Sequence, residues 1–202
     1  MSTPSRRRMS PEDRRRQLLG LGLRMLVERP IHELSIDAVA AEAGISRGLL
    51  FHYFPSKSAY YDAVIEAATR RVLRNTAPDP DATAEEAPTQ FVRRFLEQIQ
   101  RRRDFYLALV YGTASVALGG DRVVSLRLTF ARQIAESVGA TDTEIPLIHA
   151  WTAYVEDRAL QWSDPDRTDR VVIDDEVAHC VAALTALRGI ATQERDDSSR
   201  AG

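Results

Sequence analysis

Cysteine is almost absent from this chain: Cys180 stands alone among 202 residues, which excludes an intramolecular disulfide and suits a reducing compartment, the cytoplasm. Lysine is just as scarce, since Lys57 is the single lysine among 27 basic residues. No apolar run approaches the ~18 residues that a membrane-spanning helix needs, so no membrane partner is expected. The opening Met-Ser-Thr-Pro-Ser-Arg-Arg-Arg has no apolar stretch behind it, as a secretory signal would. No segment alternates apolar and polar residues with period two, so no sheet is expected. Marks of catalysis are missing too: there is no glycine-rich phosphate loop, nucleophile elbow or His-Glu-x-x-His. Glu156 and Asp157 are neighbours on a helical pattern, where side chains diverge by about 100° and cannot share a substrate as an acid–base pair. His179 and Cys180 fail as a chelate for the same reason, with no third ligand at i+4. No enzyme, metal site or cofactor is therefore expected, and solvated faces account for the paired charges.

What is present is enough apolar material for real cores, 44% hydrophobic residues against 28% charged. The net charge of −2 hides an asymmetry. Residues 1–75 hold 13 basic against 8 acidic side chains, or +5, and the remainder holds 14 against 21, or −7. A basic head on an acidic body orients a molecule on a polyanion and repels misdocking.

The most informative stretch is 35–57, which reads as two short helices joined by a tight turn. Ser35 is an N-cap, and Ile36, Val39, Ala40 and Ala43 follow at i, i+3, i+4 and i+7 as one buried stripe. Gly44 stands where the chain must turn, Ile45 plugs back into the core, and Ser46 caps a second helix with Leu49, Leu50, Tyr53 and Phe54 on its apolar side. Ala40 and Gly44 are small where two steeply crossing helices approach, and Leu50 is large where the gap must be filled. This pattern suits an ordinary αα-corner and a helix-turn-helix about equally. The outer face favours the latter. Arg47 and Gly48 fall in the first turn, where base edges are read in the major groove, while His52, Tyr53 and Lys57 lie at the end of the helix and just beyond. A helix start with a hydroxyl cap, an arginine and a glycine suits a polyanion.

Ser-Arg-Gly-Leu-Leu-Phe-His-Tyr-Phe-Pro-Ser-Lys, residues 46–57, closely resembles the signature of the TetR family of transcriptional regulators, and the likeness extends from about Arg16 to about Tyr61. The resemblance implies an all-α homodimer, with a three-helix DNA-binding domain followed by a larger helical domain for ligand binding and dimerisation. It further implies that Ser46, Tyr53 and Lys57 touch phosphates and set register, while Arg47 and the backbone-exposing Gly48 lie at the bases. With Ser35 and His52 these make up the candidate DNA contacts. One departure is Pro30, where family members usually carry glycine, so the first helix should end by a proline stop. Lys57 as the lone ammonium fits a phosphate contact.

Taken in order, residues 1–9 read as a disordered basic arm whose Arg6, Arg7 and Arg8 either enter the minor groove or stay solvated. Ser10-Pro11-Glu12-Asp13 starts a first helix, with Leu19, Gly22, Leu23 and Leu26 at helical spacing. Residues 10–56 are expected to form the DNA-binding domain, 57–192 the ligand-binding and dimerisation domain, and 193–202 a polar, disordered tail. A fourth helix from Ser56 or Ser58 to about Asn75 is, by resemblance, the transmission element between the two. Residues 77–88, rich in proline and acid, read as a linker. Five more helices bring the total to about nine: one through Phe91, Phe95 and Ile99, one from Phe105 to about Leu118, one ending at Gly139, one opened by Thr141 or Thr143, and one from about Asp169 to Leu187.

The last two helices carry more apolar residues than one face needs. Ile148, Val155, Ala159, Trp162, Val177, Val181 and Leu184 are the candidates for a four-helix dimer interface; the same residues would equally fill one monomer's core, and the resemblance favours the dimer. Phe95, Tyr106, Tyr111, Trp151 and Tyr154 could line a cavity for a small apolar or amphipathic ligand, with His149 or Arg158 orienting it. The expected function is a cytoplasmic repressor released from a palindromic double-stranded operator by that ligand. A helical interaction protein without sequence-selective DNA binding, and a regulator or activator without an inducer, are the alternatives.

Overall fold

The computed structural model describes residues 9–28, 35–110, 121–168 and 171–200. Among them are eight α-helices and no strand. Arg6, Arg7, Arg8, Pro30 and Tyr111 lie outside the described residues.

α1 (Pro11–Glu28) begins as its sequence dictates, with the Ser10 hydroxyl accepting from the Asp13 amide at 3.1 Å and proline at the first helical position. α2 (Ile36–Glu42) and α3 (Arg47–Tyr53) close a small core with α1, in which Leu18, Val39 and Leu50 are fully buried. α4 (Lys57–Thr76), capped by Ser56, packs on both α1 and α5. Two apolar clusters meet along it: residues up to Val64 belong to the α1–α3 core, and those from Ile65 onward to the larger helical core. α4 is thus a wall common to both.

Residues 77–88 are not a loose linker. Arg94 donates to the Ala77 carbonyl and pairs with Asp79 at 2.7 Å, while the Gln90 side chain accepts from the Asp79 amide at 2.8 Å. Thr83 and Glu86 form a reciprocal capping box that opens the next helix. That helix, α5 (Glu86–Val110), joins two of the expected helices across a single non-helical residue, Arg102, at φ −145° and ψ 39°. The rest of the expected sixth helix, from 111 to about Leu118, lies outside the described residues.

α6 (Asp121–Ser137) stops at Gly139, whose φ of +61° lets the Ala140 amide reach back to the Ala135 carbonyl at 2.8 Å. A 3-10 turn (Asp142–Glu144) with a Thr141–Glu144 capping box leads into α7 (Ile145–Trp162). α8 (Ile173–Arg200) runs on through most of what reads as a polar tail. Its start at Ile173 falls a few residues beyond the expected Asp169, which lies outside the described residues.

Three buried carboxylates tie this domain together, each answered by an arginine, as burial of charge requires. Glu156 meets Arg127 at 2.6 Å between α6 and α7; Glu176 accepts both nitrogens of Arg158 at 2.6 Å between α7 and α8; Glu144 meets Arg188 at 3.0 Å. Glu156 is therefore not on a solvated face, although Asp157 beside it is exposed.

Candidate nucleic-acid interface

The α2–α3 unit owes its geometry to a few local choices. Ser35 and Ser46 accept from the Ala38 and Leu49 amides at 3.3 and 3.2 Å, fixing the start of each helix. Gly44 adopts φ +64°, which L side chains disfavour, and this turn lets the Ile45 amide donate to the Ala40 carbonyl at 2.9 Å. Leu50 enters the space between the helices completely, a burial worth about 1.5–3 kcal/mol. The joint to the rest of the chain is tighter still. Tyr60 on α4 is fully buried and donates its hydroxyl to the Leu18 carbonyl at 2.8 Å, and burial pushes its phenol well above the usual range. A Cβ at Gly22 would stand 2.5 Å from Val64 Cγ2 and 2.6 Å from Tyr60 Oη, so α1 and α4 approach this closely only over a glycine.

Successive residues on α3 turn by about 100°, so Leu50 facing inward leaves Gly48 and His52 at the outward crest. Arg47 lies on one flank beside Phe51, its guanidinium 5.4 Å from the ring centroid and 3.3 Å from both oxygens of Asp37 on α2. Both members of that ion pair are largely exposed, so redirecting the arginine to a new partner costs little. Gly48 has nothing nearer to its would-be Cβ than Ser46 Oγ at 3.9 Å. Nothing among the described residues asks for glycine there. His52 is exposed and meets Tyr53 edge to face, and Lys57 opens α4 exposed, its ammonium 5.1 Å from the Tyr61 ring centroid. Ser35, Ser46, Arg47, Gly48 and His52 are thus exposed on one small unit, with Tyr53 half-buried and Lys57 just beyond. Asp37 escaped sequence reading because its partner lies ten residues away. Leu49, assigned by its apolar character to the inner side, is 40% exposed.

Residues 18–64 match the bacterial regulatory proteins of the tetR family. The fold is similar to a tetR-family transcriptional regulator from Streptomyces coelicolor, with a TM-score of 0.73 and 26% identity over 95% of this chain and 87% of that one. The tetR-family match is carried by the α1–α4 stretch, and the likeness beyond it is one of fold. Relatives of this chain include the transcriptional regulator EthR of Mycobacterium tuberculosis, 33% identical over 82 residues. Another is the nucleoid occlusion factor SlmA of Haemophilus influenzae, 34% identical over 67 residues. The match spans 39% of this chain and 38% of EthR, and 33% of this chain and 31% of SlmA, so it covers less than two fifths of these relatives.

Beyond α4 the candidate ligand residues divide into two groups. Phe95, Tyr106 and Trp151 are buried in an aromatic cluster completed by Phe91 and Phe130, with centroids 5.4–5.9 Å apart. Trp151 also donates to the Cys180 carbonyl at 2.8 Å. Tyr154 and Arg158 instead face α8, engaging His179 at 2.5 Å and Glu176. His149 carries a buried Nε2 with no hydrogen-bond partner among the described residues. A groove of about 610 Å³ opens elsewhere, between the start of α5, the end of α6 and α8, with Val138, Leu184 and Arg188 in its lining.

The candidate dimer residues are placed differently from the expectation. Ile148, Val155, Ala159, Trp162, Val177 and Leu184 are enclosed within the single chain, and Val181 is half-buried beside the groove. Their side chains are already occupied in packing α7 and α8 against α5 and each other. What α8 leaves exposed is another stripe, Ala182, Ala186, Leu187 and Ile190.

Proposed function

We propose that this chain is a sequence-specific DNA-binding transcriptional regulator, a repressor that binds a palindromic operator as a homodimer and leaves it when a small molecule binds the helical domain. The observation that carries the reading is the outer face of α3: a glycine that no contact among the described residues explains, beside an arginine tied to exposed Asp37 and to Phe51. Arg47 reads a guanine edge, Gly48 lets the backbone approach the groove, and Ser35, Ser46, His52, Tyr53 and Lys57 hold phosphates and register. Two copies meeting through the exposed stripe of α8 set their α3 helices about 34–36 Å apart, one turn of B-DNA. A ligand favouring a conformation with wrong spacing lowers operator affinity, and operator lowers ligand affinity by the same factor. The tetR-family match over residues 18–64 and the fold shared with a tetR-family regulator support this reading.

The test is a pair of substitutions titrated on specific and random duplexes over a range of salt. Arg47→Ala should cost about 1–3 kcal/mol on the specific site and little on random DNA. Lys57→Ala should weaken both alike and reduce the salt slope by about one. Equal losses on both duplexes for both variants would contradict this division of labour.

A further inference from the structure

Six large apolar side chains are conspicuously exposed among the described residues, and five lie at the start of the described chain or on and just before α8. The sixth is Leu49, 40% exposed on a helix whose core needs are met by Leu50 within it and Phe54 at its end. On the helical wheel Leu49 takes the flank of α3 opposite Arg47, with the side-chain-free position of Gly48 between them. Arg47 is cationic and the crest is open, so the surface around Leu49 suits a polyanion rather than an apolar protein face. Within a major groove one group rewards an exposed aliphatic side chain, the C5-methyl of thymine.

We propose that Leu49 is a specificity-determining residue that packs on a thymine methyl, so that each operator half-site carries a thymine in addition to the guanine read by Arg47. This rests on the reading of α3 as the groove-facing helix. Arg47 discriminates by hydrogen bonds on one flank, and Leu49 by apolar contact on the other. The two contributions are separable because the side chains share no contact.

The experiment uses the full chain and the operator recovered from a random duplex pool. Each thymine of the half-site is replaced in turn, symmetrically, by deoxyuridine, which removes only the methyl. Wild-type protein should lose affinity about 4-fold per half-site at one thymine position, as expected for one methyl no longer buried. Leu49→Ala should bind thymine and deoxyuridine equally there while keeping its preference for the guanine. Because Leu49 is exposed, this variant should melt with the wild type. Selective binding in which no thymine methyl matters, or in which the methyl effect persists in Leu49→Ala, overturns the assignment alone. Absence of any sequence-selective binding by the wild type overturns the reading of α3 beneath it as well.

Discussion

Gly22 and Gly48 are the same residue with opposite loads. At Gly22 a methyl would enter Val64 and the Tyr60 hydroxyl, both buried, so Gly22→Ala should destabilise folding by about 1–3 kcal/mol in denaturant titration. At Gly48 a methyl meets open space, so Gly48→Ala should leave stability unchanged or raise it by up to about 1 kcal/mol, while weakening operator binding because the crest of α3 no longer admits close approach. A Gly48→Ala protein that lost stability and kept its affinity would show that this glycine serves the fold. The contrast also marks what a sequence can reveal at this scale. Arg47, Gly48 and the serine caps were legible, because a seven-residue helix between a cap and a Phe-Pro stop leaves them few roles. Leu49 was not, because its apolar type argues for burial while its angle on so short a helix points it outward. Asp37 was not, because a charge on one helix does not announce which neighbour it will meet.

Helix starts carry much of the order between elements. Serine caps on α2, α3 and α4 were readable from single residues, and so was the glycine that ends α6. The Thr83–Glu86 box was hidden in a stretch whose prolines and acids resemble a linker, and Arg94 and Gln90, which fasten that stretch, come later in the chain. The boundary between the two cores was also hidden, since it falls inside α4, where periodicity runs on without a break. The capping carboxylate of Glu144 joins the 3-10 turn to α8. Hydrogen bonds from the Thr141 amide, then from Arg188 and the Thr141 hydroxyl, hold its pKa down to about 2. Its folded pKa lies below the ordinary 4.5, so its contribution to stability is present in full above that value and is lost as pH falls toward about 2. Glu144→Gln should therefore cost about 1–2 kcal/mol near neutral pH, and the gap from wild type should close between about pH 4.5 and pH 2. Denaturant midpoints across that range check it. A gap that stayed constant with pH would mean that the charge of Glu144 contributes nothing.

At the scale of the whole molecule, charge and shape act together. The first 75 residues carry +5 and the rest −7, so in the proposed function long-range forces would present the α2–α3 end to DNA and turn the helical body away. Whole-molecule features were the least legible in the sequence, because α7 and α8 carry more apolar residues than one face needs. Only the folded chain separates residues such as Val155 and Ala159, buried within it, from Leu187 and Ile190, which it leaves uncovered. On the proposed reading, a dimer built on that uncovered stripe would place two α3 helices for one palindrome. The most direct measurement is selection by the purified protein from a random duplex pool at about 150 mM salt, followed by titration of the winning sequence against random DNA. The account predicts a palindrome with half-site centres one helical turn apart, bound about 10³-fold or more tighter than random DNA. Weak binding that is blind to sequence, with no palindrome enriched, would contradict it.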